Sequence, residues 1–281
     1  MKVWILASGS TANALVVQSG SSCLLVDCGL GPRVLAARLR TIGVEPEAIT
    51  GVAITHEHSD HIHGLRASCT RWRWPVLTSG GTHAALAGMG VPGCTVEGPR
   101  RVILPDGATI AHADFDVTGV RILHDAADPM ALVITCRASG ARLAIATDIG
   151  EITPPVLAAF EKVDALVLES NHCTTMLAGG PYPGYLKRRI LARTGHLSND
   201  GCAAALQRLA HRGLSHIVLA HLSEVNNAPE VALDTAGDAL RRVGWRGKLA
   251  VAPRTGLATA FDVGTAGARA TRQLELAIAA R

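Results

Sequence analysis

Four residues of the types that bind metal ions lie within six positions of this chain, directly after a short apolar run. The run, residues 51–54, is typical of a buried strand, and His56, His58, Asp60 and His61 follow it. In an extended segment the first two histidines point to the same side, and a helical turn would direct the other two residues to a second position. Since one ion cannot easily use all four, the spacing predicts two adjacent divalent cations, an arrangement that activates water for attack on an ester or phosphate. The alternative is a polar loop whose histidines are only solvated.

This His-x-His-x-Asp-His motif resembles that of the metallo-β-lactamase superfamily. The superfamily pattern also has an Asp at a strand end before the motif, and then a His, an Asp and a His after it, each ending a strand. Apolar runs of this chain end, in the same order, at Asp27, His124, Asp148 and His221. The complete pattern is therefore present.

The resemblance implies a role for each of these residues. The implied ligands are His56, His58 and His124 for one ion, Asp60, His61 and His221 for the other, and Asp148 as a bridge between them. Asp27 would support the metal-binding loop through hydrogen bonds without contacting the ions. This ligand set matches the phosphodiesterase and nuclease branches, and also the glyoxalase II and lactonase branches. Mixed histidine and carboxylate ligands suit zinc, manganese or iron.

The fold that the resemblance implies is of the α/β (α+β) class, a four-layer αββα sandwich of two mixed β-sheets flanked by helices. A weak internal echo supports it, because residues 24–29 and 143–150 are both apolar strands closed by Asp-x-Gly. A length of 281 residues suits one such structure, and we find no linker, so we expect a single domain over residues 1–281. About 70 residues separate Asp148 from His221, too few for the inserted β-CASP domain of messenger-degrading relatives.

Apolar periodicity and turn residues predict alternating strands and helices in the first half of the chain. The predicted strands are 2–6, a second one ending at 17, 22–27 and 75–78, and the predicted helices are 32–42, 64–73 and 81–88. Residues 95–136 are expected to form short strands that place His124 at a strand end. The polar loop after the first strand holds Ser8 and Ser10, which either reach the site or simply close a hairpin.

Composition says more about the cellular compartment of the protein than about the reaction that it catalyses. Seven cysteines at irregular spacing, with no CxxC pair, predict reduced core thiols and no structural zinc site. The first residues are typical of a strand rather than a signal peptide, and no apolar run approaches the length of a membrane span, so we expect a cytoplasmic protein with no membrane partner. A net charge of +4 permits a polyanionic substrate without requiring one. A homodimer is compatible with these properties.

The later part of the chain is similar to a narrower group, the YycJ (WalJ) small nucleases of the metallo-β-lactamase fold. The shared signatures are Glu-x-Asn-His, Tyr-Pro…Leu-Lys-x-Arg-Ile, Gly-His-Leu-Ser-Asn and His-Leu-Ser…Asn-Asn, which here begin at Glu169, Tyr182, Gly195 and His221. Members are regarded as exonucleases that act on DNA from the 5′ end. The resemblance therefore implies a dinuclear metal-dependent 5′-to-3′ exonuclease, with DNA favoured over RNA as its substrate.

Two departures from this group lie outside the implied ligands. Cys173 stands where the group often has an acidic residue, and Thr11-Ala12-Asn13 replaces a more usual Ser-Gly-Asn. We expect the chemistry to be retained, with the substrate preference less well defined.

A basic helix before the Gly-His-Leu-Ser-Asn loop favours a phosphate-binding function independently of the resemblance. Arginines add sequence-independent attraction to a polyanion, and the start of the next helix, at Asp200, offers backbone N–H donors. The expected substrate contacts are Ser8, Ser10, Asn171, His172, Lys187, Arg188, Ser198 and Asn199. The alternative is that the charged helix face is simply solvated.

The candidate catalytic residues are His196 and Asp60. His196 is the candidate general acid, because it is a histidine outside the ligand set in a loop with phosphate-binding character, and phosphate positioning is its alternative role. Asp60 could instead carry a proton through its second oxygen. Two other functions stay open, a hydrolase of small esters, thioesters or lactones, and a non-catalytic nucleic-acid-binding module.

Overall fold

Two seven-stranded β-sheets face each other in this protein, and helices cover both outer surfaces. The structure, a computed structural model, describes residues 1–94, 100–254 and 259–264. The first sheet has the spatial order β14-β1-β2-β3-β4-β5-β6 and the strands β1 (Lys2–Ala7), β2 (Ala14–Ser19), β3 (Ser22–Val26), β4 (Ile49–Ala53), β5 (Val76–Thr78), β6 (Arg101–Ile103) and β14 (Thr259–Asp262). The second has the order β13-β12-β11-β10-β9-β8-β7 and the strands β7 (Thr109–His112), β8 (Phe115–Arg121), β9 (Met130–Cys136), β10 (Arg142–Ala146), β11 (Ala165–Glu169), β12 (His216–Ala220) and β13 (Lys248–Val251).

The helices lie on the outer faces and in the loops at the strand ends. They are α1 (Pro32–Thr41), α2 (Ser59–Ile62), α3 (Leu65–Trp72), α4 (Gly80–Gly88), α5 (Pro154–Phe160), α6 (Thr174–Gly179), α7 (Gly184–Leu191), α8 (Asn199–Leu209) and α9 (Pro229–Arg242). Among the described residues, no helix is long and apolar enough to cross a membrane. The predicted αββα sandwich of two mixed sheets is confirmed.

Three apolar cores fill the spaces between the four layers of helices and sheets, and we call them the three apolar layers. In β10, Leu143 and Ile145 point into the core between the sheets, while Ala144 and Ala146 point into the core under the helices. This alternation follows from the two-residue period of a strand, which gives each face its own set of side chains. Central strands such as β3, β10, β11 and β12 are buried on both faces, and their sequences are accordingly apolar almost throughout. The edge strands β6, β7 and β13 are partly exposed.

Both sheets are mixed, and their parallel halves decide where polar residues gather. Strands β3 to β6 run parallel, as do β10 to β13, whereas the rest of each sheet is antiparallel. The carboxyl ends of parallel strands meet at one edge of a sheet, which is where α/β proteins place their sites. Because the two sheets face each other, their two such edges contribute to one site.

The predicted helices and strands of the first half agree with the structure to within one or two residues. His124 is the exception, because β8 ends at Arg121, where its pairing with Met130 of β9 stops, and His124 lies three residues farther on. It therefore occupies a loop rather than a strand end. Part of the segment in which short strands were predicted, 95–99, lies outside the described residues. The seven cysteines are free thiols, six of them buried, which confirms the predicted reduced state.

Candidate metal centre

Polar residues from five strand ends converge at the edge shared by the two sheets. Asp27 follows β3, residues 55–61 follow β4, Asp148 follows β10, Glu169 ends β11, and His221 follows β12. Residues 59–62 form the short helix α2, the helical turn that would direct Asp60 and His61 to a second position. Asp27, His56, His61, Asp148, Glu169 and His221 are buried although they carry charge or hydrogen-bonding groups, whereas His58 and Asp60 are partly exposed.

Among the described residues, three groups of side chains could hold a metal ion, and the third, Asp148, Glu169, His196 and His221, shares two residues with the second. The first cluster consists of His56, His58 and His124, which offer ligand atoms within 4.8 Å of one another. Nε2 of His124 lies 3.2 Å from Nδ1 of His58. The ring of His56 is 4.5 Å from that of His58 and 4.9 Å from that of His124. Three imidazoles facing one point are the donor set of a divalent transition metal.

The second cluster consists of Asp60, His61, Asp148 and His221, again within 4.8 Å of one another. Nε2 of His61 lies 2.9 Å from Oδ2 of Asp148 and 3.3 Å from Oδ2 of Asp60. Nε2 of His221 lies 3.3 Å from the same Asp60 oxygen. The other oxygen of Asp148, Oδ1, is 3.9 Å from Nε2 of His124. Asp148 therefore contacts both clusters, as a bridging carboxylate must.

Each histidine of the two clusters uses one ring nitrogen for a protein partner and directs the other inward. Nδ1 of His124 donates to the carbonyl of Gly195 at 3.0 Å, and Nε2 of His58 donates to the carbonyl of Asp125 at 3.2 Å. The remaining pairs are Nδ1 of His61 with Asp27 at 2.8 Å, Nδ1 of His221 with Glu169 at 3.1 Å, and Nδ1 of His56 with Thr55 at 3.1 Å. Such bonds fix the tautomer, so that the inward nitrogen is a lone-pair donor for a metal.

Two orphaned atoms and the protonation tendencies of the cluster fit divalent cations. Nε2 of His56 is buried without a hydrogen-bond partner, and Oδ2 of Asp148 is buried with Nε2 of His61 nearby at 2.9 Å but outside hydrogen-bond geometry. Burial lowers the pKa of His56, so this ring is neutral and available to a metal. Burial opposes ionisation of Asp148, but His221 and His61 hold its pKa well below its usual range. Burial likewise opposes protonation of His221, yet Asp148 and Asp60 raise its pKa to about 10. The carboxylates thus attract positive charge to this point.

Asp27 fixes the position of residues 55–61 through hydrogen bonds. Its Oδ1 accepts from the backbone N–H of Thr55 at 2.9 Å and its Oδ2 from His61. Asp27 adopts a left-handed backbone with φ of 58°, and so does His221 with φ of 54°, a conformation that is uncommon for non-glycine residues but that Asp and His adopt more often than most. Beside it, a Cβ on Gly29 would lie 1.8 Å from the carbonyl oxygen of Asp60. Only glycine permits this approach of the two loops.

We expect Asp27→Asn to lower the affinity for divalent ions by roughly tenfold to a hundredfold, the usual effect of losing a residue that orients a ligand. Asparagine tolerates the left-handed backbone, but its amide cannot both accept from Thr55 and accept from His61. Competition against a chromogenic chelator measures the affinity. Unchanged affinity in Asp27→Asn would show that His61 does not depend on this contact.

Glu169 is a buried carboxylate that the sequence analysis assigned no role. Its Oε1 lies 2.8 Å from Nδ1 of His196 and 3.1 Å from Nδ1 of His221, and its Oε2 accepts from the backbone N–H groups of Ile149 and Leu197. Burial would lower the pKa of His196, but Glu169 and Asp148 raise it above its ordinary value. In the sequence, Glu169 directly follows the apolar run at residues 165–168, and a carboxylate at the end of such a run could have marked it as a site residue.

Asn13 is a second residue that the sequence analysis left without a role. Its Nδ2 donates to Oδ2 of Asp60 at 3.0 Å, and its Oδ1 accepts from the backbone N–H of Gly9. Asn13 thus ties the loop after β1 to Asp60 and sets the orientation of that carboxylate.

A cavity of about 160 Å³ opens beside the two clusters, and His196 and His221 form part of its wall. Ser10, Asn171 and Arg189 also line it. Nε of Arg189 donates to Asp125 at 2.6 Å, which places a cation within reach of the clusters.

Several of the residues predicted to contact the substrate bond the protein's own backbone. Ser8 accepts from the backbone N–H of His221, and Nδ2 of Asn171 donates to the His221 carbonyl at 2.9 Å. Lys187 donates to the carbonyl of Ala178, and Arg188 is exposed outside the lining of the cavity, which Arg189 enters instead.

The predicted contacts at the start of α8 also differ from one another. Ser198 caps the helix, accepting from Gly201. Asn199 is buried and its amide is paired with Asn227 and Ser170, so it supports the loop from inside rather than facing a ligand. His172 is buried and lines a second pocket, which His196 also lines.

Similarity to known families identifies this fold. Residues 23–222 match the family described as the beta-lactamase superfamily domain. The chain belongs to the metallo-β-lactamase superfamily. The structure is similar to that of the metallo-β-lactamase fold protein YhfI from Bacillus subtilis, with a TM-score of 0.67 at 18% sequence identity, covering 92% of this chain and 99% of that one.

Curated relatives within this superfamily carry nuclease names. Exodeoxyribonuclease YycJ of Bacillus anthracis is 33% identical to the chain over 243 residues, which cover 86% of this chain and 89% of that protein. Exodeoxyribonuclease WalJ of Streptococcus pneumoniae is 32% identical over 231 residues, covering 82% of this chain and 85% of that protein. The resemblance to the YycJ (WalJ) group is thereby confirmed. The chain is an enzyme, a hydrolase of the metallo-β-lactamase fold with His and Asp clusters able to hold metal ions.

Proposed function

We propose that this protein is a dinuclear metal-dependent phosphodiesterase that removes nucleotides from the 5′ end of a nucleic acid, with DNA preferred to RNA. The observation that carries the proposal is Asp148, a single buried carboxylate in contact with both clusters. Similarity to proteins named exodeoxyribonucleases supports DNA as the substrate and an end as the point of attack.

The seven residues His56, His58, Asp60, His61, His124, Asp148 and His221 would hold the two ions, which can be zinc, manganese or iron given these donors. When bound, two adjacent divalent ions activate a water and stabilise the charge that develops on a phosphate. The chain's own groups decide orientation. Asp60 presents an oxygen between two histidines, and Asn13 holds that oxygen in place.

His196 is the residue that we assign to protonation of the leaving oxygen. It lies on the wall of the cavity beside the clusters, with Nδ1 bonded to Glu169 at 2.8 Å, so the opposite nitrogen, Nε2, is free to face a substrate. Glu169 is fully buried and receives three further hydrogen bonds, which fixes its position and stabilises the charged imidazolium. An acid held this way serves an alkoxide leaving group of high basicity, such as the 3′-oxygen of a nucleotide.

The deciding experiment compares substrates of different classes with the same purified enzyme. End-labelled single- and double-stranded DNA and RNA, with a phosphate at either end, are incubated with manganese or zinc, alongside a lactone and a thioester. We expect stepwise release of nucleotides from the 5′ end of DNA and negligible turnover of the two small esters. Turnover of the lactone or thioester without cleavage of any nucleic acid would overturn the proposal in favour of a small-ester hydrolase.

Arg189 and its neighbour Arg188 form a matched pair that separates attraction from positioning. Both belong to α7, but Arg189 lines the cavity and pairs with Asp125, whereas Arg188 is exposed outside it. We expect Arg189→Ala to raise the KM for DNA about tenfold with a small change in kcat. The slope of log affinity for DNA against log salt concentration should become shallower by about one. Arg188→Ala is expected to have the weaker effect of a distant charge. Equal effects of the two variants would mean that α7 acts through its net charge alone.

A further inference from the structure

The cavity beside the metal clusters is lined by an apolar strip and by polar groups. The apolar strip consists of Tyr182, Leu186 and Ile190. Leu186 and Ile190 lie one turn apart on the same face of α7, and Tyr182 precedes that helix by two residues. The rest of the lining is mostly polar and includes His196 and His221. A substrate that fills this cavity therefore needs an apolar part next to a polar or anionic part.

Tyr182 is the member of the apolar strip that indicates the class of ligand. The chain contains two tyrosines, Tyr182 and Tyr185. Tyr182 is half-buried and lines the cavity, whereas Tyr185 is 68% exposed and lies outside the lining. Apart from histidines, Tyr182 has the one aromatic ring in the described lining of this cavity. Such a ring presents a flat apolar face on which another flat ring can stack.

The backbone on both sides of Tyr182 is rigid. Pro181 and Pro183 flank it, and proline fixes its own φ and confines the preceding residue to extended conformations. The carbonyl of Pro183 accepts from the backbone N–H of Lys187 at 3.1 Å, and Nζ of Lys187 donates to the carbonyl of Ala178 at 2.7 Å. The ring of Tyr182 is therefore held ready beside the cavity, which lowers the entropic cost of binding a ligand.

The charge of α7 favours a polyanion as the source of that flat ring. Lys187, Arg188 and Arg189 follow one another in the helix, and among the described residues their one salt bridge joins Arg189 to Asp125. Aromatic side chains next to a basic surface are the means by which proteins bind unpaired nucleotides, with bases stacked on the rings and phosphates near the cations. A nucleobase fits the apolar strip, and the phosphate attached to its sugar fits the polar end of the cavity.

We propose that Tyr182 stacks against the base of the nucleotide that is being released, with Leu186 and Ile190 completing the apolar surface under that base. The inference rests on the proposed function for its substrate. Because every base has a flat face, this contact holds the end of the chain without selecting its sequence. The residue positions the terminal nucleotide while its phosphate lies beside the metal clusters.

The test measures binding and stacking, so that it does not depend on turnover. The zinc-loaded protein is titrated with a 5′-phosphorylated single-stranded DNA in which a methylene group replaces the scissile oxygen, so that it cannot be cleaved. The terminal nucleotide carries either 2-aminopurine, whose fluorescence falls on stacking, or no base. Tyr182→Leu removes the aromatic ring, Tyr182→Phe retains it, and Tyr185→Leu on the exposed side of α7 is the matched control.

We expect the unaltered protein, Tyr182→Phe and Tyr185→Leu to bind the 2-aminopurine end roughly fivefold or more tightly than the end without a base, and to quench its fluorescence. Tyr182→Leu should lose most of this preference and of the quenching, with an unchanged Kd for the end without a base.

An unchanged preference and unchanged quenching in Tyr182→Leu overturn the inference. Equal loss of affinity for both ends in that variant also overturns it, since the ring would then only shape the loop. In either case cleavage of DNA by the unaltered protein leaves the proposed function standing. If the unaltered protein binds neither end and cleaves no nucleic acid, the proposed function fails and this inference fails with it.

Discussion

Replacing Asp148 with alanine is expected to reduce the bound divalent ions from about two per chain to one or fewer and to lower turnover by roughly a thousandfold or more. The physical reason is its position, since its two oxygens face His61 on one side and His124 on the other. Loss of this carboxylate removes the negative charge that holds two cations close together. Metal content by elemental analysis and hydrolysis of a nitrophenyl phosphodiester measure the two effects.

Folding of the Asp148→Ala protein is expected to persist, because three apolar layers stabilise the fold without help from the ions. A cooperative thermal transition checks this. Asp116→Ala, on β8 away from the clusters, is the matched control and should retain both ions and full turnover. Two ions and undiminished hydrolysis in Asp148→Ala would rule out the dinuclear assignment.

Replacing His196 with alanine is expected to reduce kcat on a native dinucleotide step by roughly a hundredfold or more, the usual contribution of a general acid. The defect should shrink on a nitrophenyl phosphodiester, because a weakly basic leaving group needs little protonation. Glu169→Gln should show the same dependence on the leaving group with a smaller defect, since glutamine cannot stabilise the imidazolium charge.

The comparison between the two substrates distinguishes acid catalysis from phosphate positioning. A defect of equal size on both substrates would mean that His196 positions the phosphate, and Asp60 would become the candidate proton carrier. The same substitution at a remote histidine, His112→Ala, controls for the loss of an imidazole and should show no defect on either substrate. His112 bonds the carbonyl of Thr50 and belongs to neither cluster.

The metal clusters were predictable from the sequence because their signal is local. Four of the ligands lie within the six residues 56–61, and Asp148 and His221 each follow an apolar strand that is visible as a run of Val, Leu, Ile and Ala. His124 lies three residues beyond the end of β8, in a loop. The sandwich fold followed from the same strands and from the resemblance. Strand polarity then brings these ends together without further information, since parallel strands share one edge.

Contacts between segments far apart in the chain had no such local signal. Glu169 meets His196 and His221 only because β11 lies between β10 and β12. The sequence marked a basic run at residues 187–189, but the rotation of α7 about its axis decides that Arg189 enters the cavity.

The sequence motif and the family resemblance that it carries predicted the fold and the seven candidate metal ligands, and the Gly-His-Leu-Ser-Asn loop marked His196. The tertiary structure decided which side chains support them, as with Asn13 on Asp60 and Thr55 on Asp27. It also decided that Asn199 faces inward and that His172 is buried in the wall of a pocket. The physical reason is that ligand identity depends on residue type at strand ends, whereas the direction of a loop side chain depends on packing between segments far apart in the chain.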